Sequence, residues 1–156
     1  MIDCAAEIMT SPVLSIKPED TLSEAIRIMA EKNISGLPVV DDRQHVVGII
    51  SEKDIINYSA KLQVVPLIGS SGWLSPYTDM SSIAPLKKGY EILSTTKVHS
   101  VMTKNVFTVK DTASGDEAVK FMSRKDVNRV PVVTSTGVLV GIITRSNLVN
   151  YLANRK

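Results

Sequence analysis

Gly36-Leu37-Pro38-Val39-Val40 is followed by a polar stretch, Asp41-Asp42-Arg43-Gln44-His45, and then by Val46-Val47-Gly48-Ile49-Ile50-Ser51-Glu52-Lys53-Asp54. Two short apolar runs bounded by turn residues read as strands, the second passing into a helix through a hydroxyl residue. The pattern returns 93 residues later as Arg129-Val130-Pro131-Val132-Val133, a polar gap, and Leu139-Val140-Gly141-Ile142-Ile143-Thr144-Arg145-Ser146-Asn147. Met9 and Met102, Thr10 and Thr103, Ala25 and Ala118, Met29 and Met122 keep the same 93-residue offset. Laid without a gap, 8–56 over 101–149 gives 15 identities in 49 positions, and most remaining apolar positions stay apolar. The chain is an internal duplication.

Each copy reads as β-α-β-β-α. In the first, Asp3 to Met9 is a helical lead-in and Val13 to Ile16 a strand. Thr21 with Glu24 forms a capping box. Leu22, Ala25, Ile26 and Met29 then fall on one buried helical face. Strands are predicted over 37–41 and 46–50, then a helix over 51–60 that buries Ile55 and Ile56. In the second copy the strands are 106–109, 130–134 and 138–143. The helices run from about Ser114, burying Ala118, Val119 and Met122, and over 144–152. The strands are nearly all apolar, which predicts burial on both faces. A unit of this size is too small to hold its own core. The fold class is therefore α+β, with two repeats packed about an approximate two-fold axis. The organisation is 1–60 for the first repeat, 61–97 for a non-repeating insert and 98–156 for the second repeat. Within the insert, 64–77 is too apolar for a free linker and reads as an ordered loop. Residues 81–93 fit a helix if Pro85 sits in its first turn.

Composition is that of a globular protein, 44% hydrophobic and 22% charged over 156 residues. The longest unbroken apolar run, Val138 to Ile143, is far short of a membrane span. The start shows no signal-peptide pattern, and a single cysteine fits a reducing compartment, so a cytoplasmic location is expected. Residues 1–96 carry 8 basic and 12 acidic side chains (−4), and 97–156 carry 10 and 4 (+6). Either the two surfaces have drifted apart, or the second repeat faces phosphates or another acidic partner.

No catalytic constellation or metal site is visible, and no enzymatic activity is expected. His45 lies in a predicted turn and His99 just before the second repeat, neither with a carboxylate or cysteine at ligand spacing. Cys4 lies near the N-terminus, and a structural or incidental role is expected of it rather than that of a nucleophile. Phosphate-binding loops, dinucleotide fingerprints and zinc spacings are absent from the sequence. Nucleic acid is disfavoured as a partner because aromatic residues are sparse in the basic half.

The informative positions are Ser51…Asp54 and Thr144…Asn147. One reading is a capping box alone. The other adds a ligand. Gly48 and Gly141 would clear the approach to an exposed helix N-terminus suited to phosphate. A carboxylate one turn in would accept both hydroxyls of a ribose. Ile49-Ile50 and Ile142-Ile143 would sandwich a purine.

The duplicated Met-Thr…Pro-Val-Val…Gly-Ile-Ile-Ser/Thr-x-x-Asp pattern resembles the cystathionine-β-synthase (CBS) domain, which occurs in tandem pairs called Bateman modules. The resemblance spans both repeats and leaves the insert unexplained. It implies a regulatory, non-catalytic module with two clefts that take AMP, ADP, ATP or S-adenosylmethionine. By resemblance, the first cleft combines Ile49, Ile50, Ser51 and Asp54 with Thr103, Asn105, Val106, Val127 and Asn128. The second combines Ile142, Ile143, Thr144, Asn147 and Arg129 with Thr10, Val13, Ile34 and Ser35. Asn147 departs from the pattern, where aspartate is usual, and weakens ribose recognition. Arg129, a phosphate fork, matches Gly36, so the first cleft keeps the acid and lacks the arginine. Apolar faces on the second helices (Ile55, Ile56 and Leu62; Leu148, Val149 and Leu152) point, with the resemblance, to a homodimer. An effector protein is a further expected partner. The alternative reading is an interaction module with unused clefts, contacting partners through the insert.

Overall fold

The computed structural model describes residues 3–62 and 80–155. The elements run α1 (Ala5–Ile8), α2 (Leu22–Lys32), β1 (Gly36–Val40), β2 (Val46–Ser51), α3 (Glu52–Lys61), α4 (Met80–Thr95), β3 (Val109–Lys110), α5 (Gly115–Lys125), β4 (Arg129–Val133), β5 (Leu139–Thr144) and α6 (Arg145–Asn154). The apolar loop expected over 64–77 lies outside the described residues.

Local chemistry sets the helix limits. Thr21 accepts the Glu24 N–H at 3.3 Å while Glu24 takes the Thr21 N–H at 3.3 Å. Ser114 and Glu117 do the same for α5 at 3.2 and 2.8 Å. Such caps each contribute about 1 kcal/mol. Both helices end on left-handed residues related by the repeat, Asn33 at φ 52° and Asp126 at φ 50°. The hairpin turns match as well, with Gln44 at φ 65° where the second repeat has Gly137 at φ 90°.

The chain folds into two compact units, and neither is a contiguous repeat. The first-repeat unit comprises Ile16–Val39 and Gly48–Lys104; the second-repeat unit comprises Met1–Ser15, Val40–Val47 and Asn105–Lys156. The lead-ins are exchanged. Thr10, ahead of the first repeat, pairs with Ile142 on β5, and Thr103, ahead of the second, pairs with Ile49 on β2.

In the second-repeat unit β3, β4 and β5 form one sheet in that order. Val109 lies parallel to Val132, and β4 runs antiparallel to β5 with Arg129 opposite Thr144. Ala5, Val109, Ala118, Met122, Val130, Val132, Ile143 and Leu148 form its core, with Val119 packed against it and only partly buried. The hairpin tip of residues 40–47 joins this unit through Leu139 N–H, which donates to Gln44 O at 3.0 Å. In the first-repeat unit Ile16 bridges Val39 in parallel, the counterpart of Val109 and Val132. Leu22, Ala25, Met29, Leu37, Val39, Ile50, Ile55 and Leu93 are buried there. Each such leucine or isoleucine contributes roughly 1.5–3 kcal/mol. Helix α4 packs against α2, with the Ser23 and Ser94 hydroxyls 3.1 Å apart.

Four expectations need correction. Full strands over 13–16 and 106–109 shrink to a bridge at Ile16 and to Val109–Lys110. Thr10 is bound in the second-repeat unit and Ile16 in the first-repeat unit, while Thr103 is bound in the first-repeat unit and Val109 in the second-repeat unit, so the residues between connect rather than pair. Burial on both faces describes β1 and, from Val130 on, β4; β2 and β5 alternate, with Gly48, Ile50, Gly141 and Ile143 buried and their neighbours half-exposed. Ile56 is 48% exposed, because only Ile55 of that pair faces inward. Helix α4 starts at Met80, so Pro85 lies beyond the first turn. No helix among the described residues is long and apolar enough to cross a membrane.

Candidate ligand-binding site

At the end of β2 the extended Ser51 caps α3. Its hydroxyl oxygen accepts the Asp54 N–H at 3.2 Å, and Asp54 Oδ2 accepts both the Ser51 N–H and hydroxyl at 2.9 Å. The exchanged lead-in reaches the same carboxylate: the Thr103 hydroxyl donates to Asp54 Oδ1 at 3.5 Å. Two backbone bonds hold it there, Ile49 N–H to Thr103 O at 3.0 Å and Thr103 N–H to Ile49 O at 2.8 Å.

The second-repeat unit repeats the cap and the backbone pairing, with the threonine bond changed. Thr144 N–H and Oγ1–H both donate to Asn147 Oδ1 at 2.8 Å, and Asn147 N–H donates to Thr144 Oγ1 at 3.4 Å. Asn147 Nδ2 donates to Thr10 Oγ1 at 3.2 Å. Thr10 N–H donates to Ile142 O at 2.8 Å, and Ile142 N–H to Thr10 O at 3.1 Å.

Each helix start is partly satisfied from within. Glu52 N–H donates to Ser35 O at 3.0 Å and Arg145 N–H to Asn128 O at 3.3 Å, again equivalent positions. Fewer first-turn donors therefore face outward than a bare helix N-terminus would offer.

The glycines have a packing task that was not read in the sequence. A Cβ on Gly48 would lie 2.5 Å from Met102 Sδ and 3.0 Å from Thr103 O. One on Gly141 would lie 2.7 Å from Met9 Cγ. Both clear space for the lead-in methionine.

Of the residues expected in the first cleft, Ile49, Ile50, Ser51, Asp54 and Thr103 belong to the first-repeat unit. Asn105, Val106, Val127 and Asn128 belong to the second-repeat unit. Of those expected in the second, Thr10, Val13, Arg129, Ile142, Ile143, Thr144 and Asn147 lie in the second-repeat unit, and Ile34 and Ser35 in the first-repeat unit. Ile50 and Ile143 are 0% exposed and offer a purine no side-chain surface. Strand alternation leaves Ile49 and Ile142 half-buried.

One group of residues was not anticipated. In the second-repeat unit a recess of about 750 Å³ is lined by Glu7, Asp116, Asn150, Tyr151, Asn154 and Arg155, among others. Arg155 grips Asp116 in a two-point bond at 2.6 and 2.8 Å. Desolvation and the adjacent Asp116 carboxylate raise the Tyr151 phenol above its ordinary value. The spacing of Asn147, Asn150, Tyr151 and Asn154 along one helical face was the available signal. Among the described residues no cluster of His, Cys, Asp or Glu could hold a metal ion.

Two capped strand-to-helix junctions, each completed by the other repeat's lead-in, define a tandem-repeat module. The CBS domain model matches residues 5–61 and 98–154, and the chain belongs to the CBS domain family. It is 32% identical over 140 residues to inosine-5'-monophosphate dehydrogenase of Methanocaldococcus jannaschii, covering 90% of this chain and 22% of that enzyme's length. An uncharacterised protein of the same organism is 31% identical over 150 residues, 94% of this chain and 89% of its own. Among solved structures, CBSX2 of Arabidopsis thaliana in complex with AMP superposes with TM-score 0.73 at 27% identity, covering 99% of both chains.

Proposed function

We propose that this chain is a regulatory, non-catalytic module that senses an adenosine nucleotide, such as AMP, ADP, ATP or S-adenosylmethionine, at the Ser51–Asp54 junction. The observation that carries the reading is the state of Asp54. Its Oδ2 is spent on the helix cap, while among the described residues Oδ1 receives only a long bond from Thr103. A half-buried carboxylate with an open oxygen suits the donor hydroxyls of a ribose, and bonds to an ionised acceptor are the stronger kind. Ile49 supplies apolar surface beside it. The AMP complex of CBSX2, similar along the whole chain, supports an adenosine ligand. The junction does not fix the number of phosphates.

The test is calorimetric titration of the nucleotide-stripped protein with AMP, ATP and S-adenosylmethionine, beside Asp54→Ala. Saturable binding that weakens at least tenfold in the variant, about 1.4 kcal/mol, is the expected result. Silence with all three ligands would overturn the reading.

A second role has its own observation. Ile56 and Leu62 at α3 are 48% and 41% exposed, and Val149 and Leu152 on α6 are 63% and 50% exposed. Apolar side chains grouped on helices mark an interaction surface, and we assign these faces to a homodimer in the cytoplasm that presents the module to an effector protein. Light scattering at micromolar concentration should give twice the chain mass, and Val149→Asp should halve it; a monomeric wild type would remove this part. If ligands also fail to bind, the module serves interaction alone.

A further inference from the structure

We propose that the recess formed by α1, α5 and α6 in the second-repeat unit is a docking groove for a helix of a partner protein, one that carries an arginine in its last turn, whether or not the junctions bind a nucleotide.

The first-repeat unit shows how such a helix sits. There Leu22 N–H donates to Thr96 O at 3.0 Å, and Thr21 bridges Lys97. The residues at the 93-residue offset make the same contacts in the second-repeat unit: Gly115 N–H donates to Asp3 O at 2.8 Å, and Ser114 bridges Cys4. Helix α4 runs into the first of these entries, and its end lies on α2 and α3. Leu93 is 2% exposed, the Ser94 hydroxyl is 3.1 Å from that of Ser23, and the Thr96 hydroxyl just past the helix is 3.4 Å from the Tyr58 hydroxyl. The counterparts of Ser23 and Tyr58 are Asp116 and Tyr151, and both line the recess. The groove is thus the surface on which the chain already seats a helix end in its other copy.

What has changed is the charge. Where the first repeat has Ser23, Thr96 and Ser100, the second has Asp116, Asp3 and Glu7. All three carboxylates line the recess, with Arg155 as the cation among the lining residues. A hydroxyl-bearing helix end suits Ser23; the acidic groove calls for a basic one. The macrodipole favours cations in the last turn of a helix, so a helix entering in the direction of α4 brings its basic end to the carboxylates.

Arg155 shows the form of the contact. Its guanidinium makes a two-point bond to Asp116 at 2.6 and 2.8 Å and lies 5.9 Å from the centre of the Tyr151 ring. Carboxylate and ring together make a seat for a planar cation. The pair is 52% and 44% exposed, and an exposed ion pair yields readily to a competing cation. The partner's arginine side chain takes that seat. Val149 and Leu152 project from the side of α6 opposite Asn147, Tyr151 and Asn154, so docking leaves them uncovered.

The test is fluorescence anisotropy of labelled peptides titrated with the full chain. The probe is the sequence of residues 80–97, α4 and its exit, carrying Ser94→Arg. The controls are the unsubstituted peptide and a scrambled peptide of the same composition as the probe. The probe is expected to bind at least tenfold more tightly than either control, about 1.4 kcal/mol. Asp116→Ser, which installs the residue of the first repeat, should remove that advantage, and Arg155→Ala should tighten binding by clearing the seat. Circular dichroism and the melting temperature confirm that both variants are folded. No binding at millimolar probe, equal binding of the scrambled peptide, or an Asp116→Ser chain that keeps the full advantage would overturn the proposal. So would weaker binding by Arg155→Ala, which would make that side chain part of the receptor and not the occupant of its seat.

Discussion

The Ser51–Asp54 and Thr144–Asn147 junctions share a cap, an exchanged threonine, a carbonyl on the first helical N–H and a glycine pressed on a methionine. They differ where an oxygen in Asp54 becomes an amino group in Asn147. Duplication has preserved the cap and the backbone pairing, while the atom that meets the exchanged threonine has changed from an acceptor to a donor. A carboxylate has two oxygens, and the cap consumes only one of those of Asp54. Asn147 can cap as Asp54 does, and it forfeits only what the second oxygen would have done.

If the glycine–methionine contact is structural in both copies, both should fail alike when it is crowded. Gly141→Ala and Gly48→Ala are each expected to lose about 1–3 kcal/mol of stability in denaturant melts. Gly141→Ala should lose more, since the added carbon meets Met9 Cγ at 2.7 Å but Met102 Cγ only at 3.1 Å. In a double-mutant cycle, Gly141→Ala should couple to Met9→Ala by more than about 0.5 kcal/mol and add independently to Met102→Ala. Equal coupling to both methionines would mean that the exchanged lead-ins are wrongly assigned.

The hairpin turns give a smaller and opposite-signed comparison. Gly137 at φ 90° and Gln44 at φ 65° occupy one conformation with unequal ease. Gly137→Gln should cost about 1–2 kcal/mol. Gln44→Gly should gain less than about 1 kcal/mol, the relief of left-handed strain being offset by the entropy of an unfolded glycine. A thermal melt that moved both variants the same way would break the equivalence of the two turns.

Much of this was legible in the sequence. The Thr21–Glu24 and Ser51–Asp54 boxes could be named because a cap is a local bond between residues three apart. The 93-residue register placed every paired feature of the second repeat once the first was read. What was not legible is non-local. A glycine before a helix looks the same whether it yields to a ligand or to a methionine, although Met9 and Met102 kept the register too. Ile49 and Ile50 are identical as residues, and only strand alternation sends one to the core and leaves the other half-exposed. The exchange of lead-ins has no periodic signal, because Thr10 and Ile142 are far apart in sequence and their bond is made by the backbone alone.

That exchange also governs how the molecule can come into being. When the first repeat has left the ribosome, it has a final strand with no edge partner and a leading segment whose docking surface has not been translated. Thr103 must emerge before β2 is completed, and β5 must emerge before Thr10 has anything to bind. Contacts closed over so long a chain form late. A nascent chain of this kind carries unpaired strand edges through most of its synthesis, where aggregation is the hazard. The cut that a sequence alignment would suggest, between the repeats, would yield two fragments each holding parts of both units and the whole of neither.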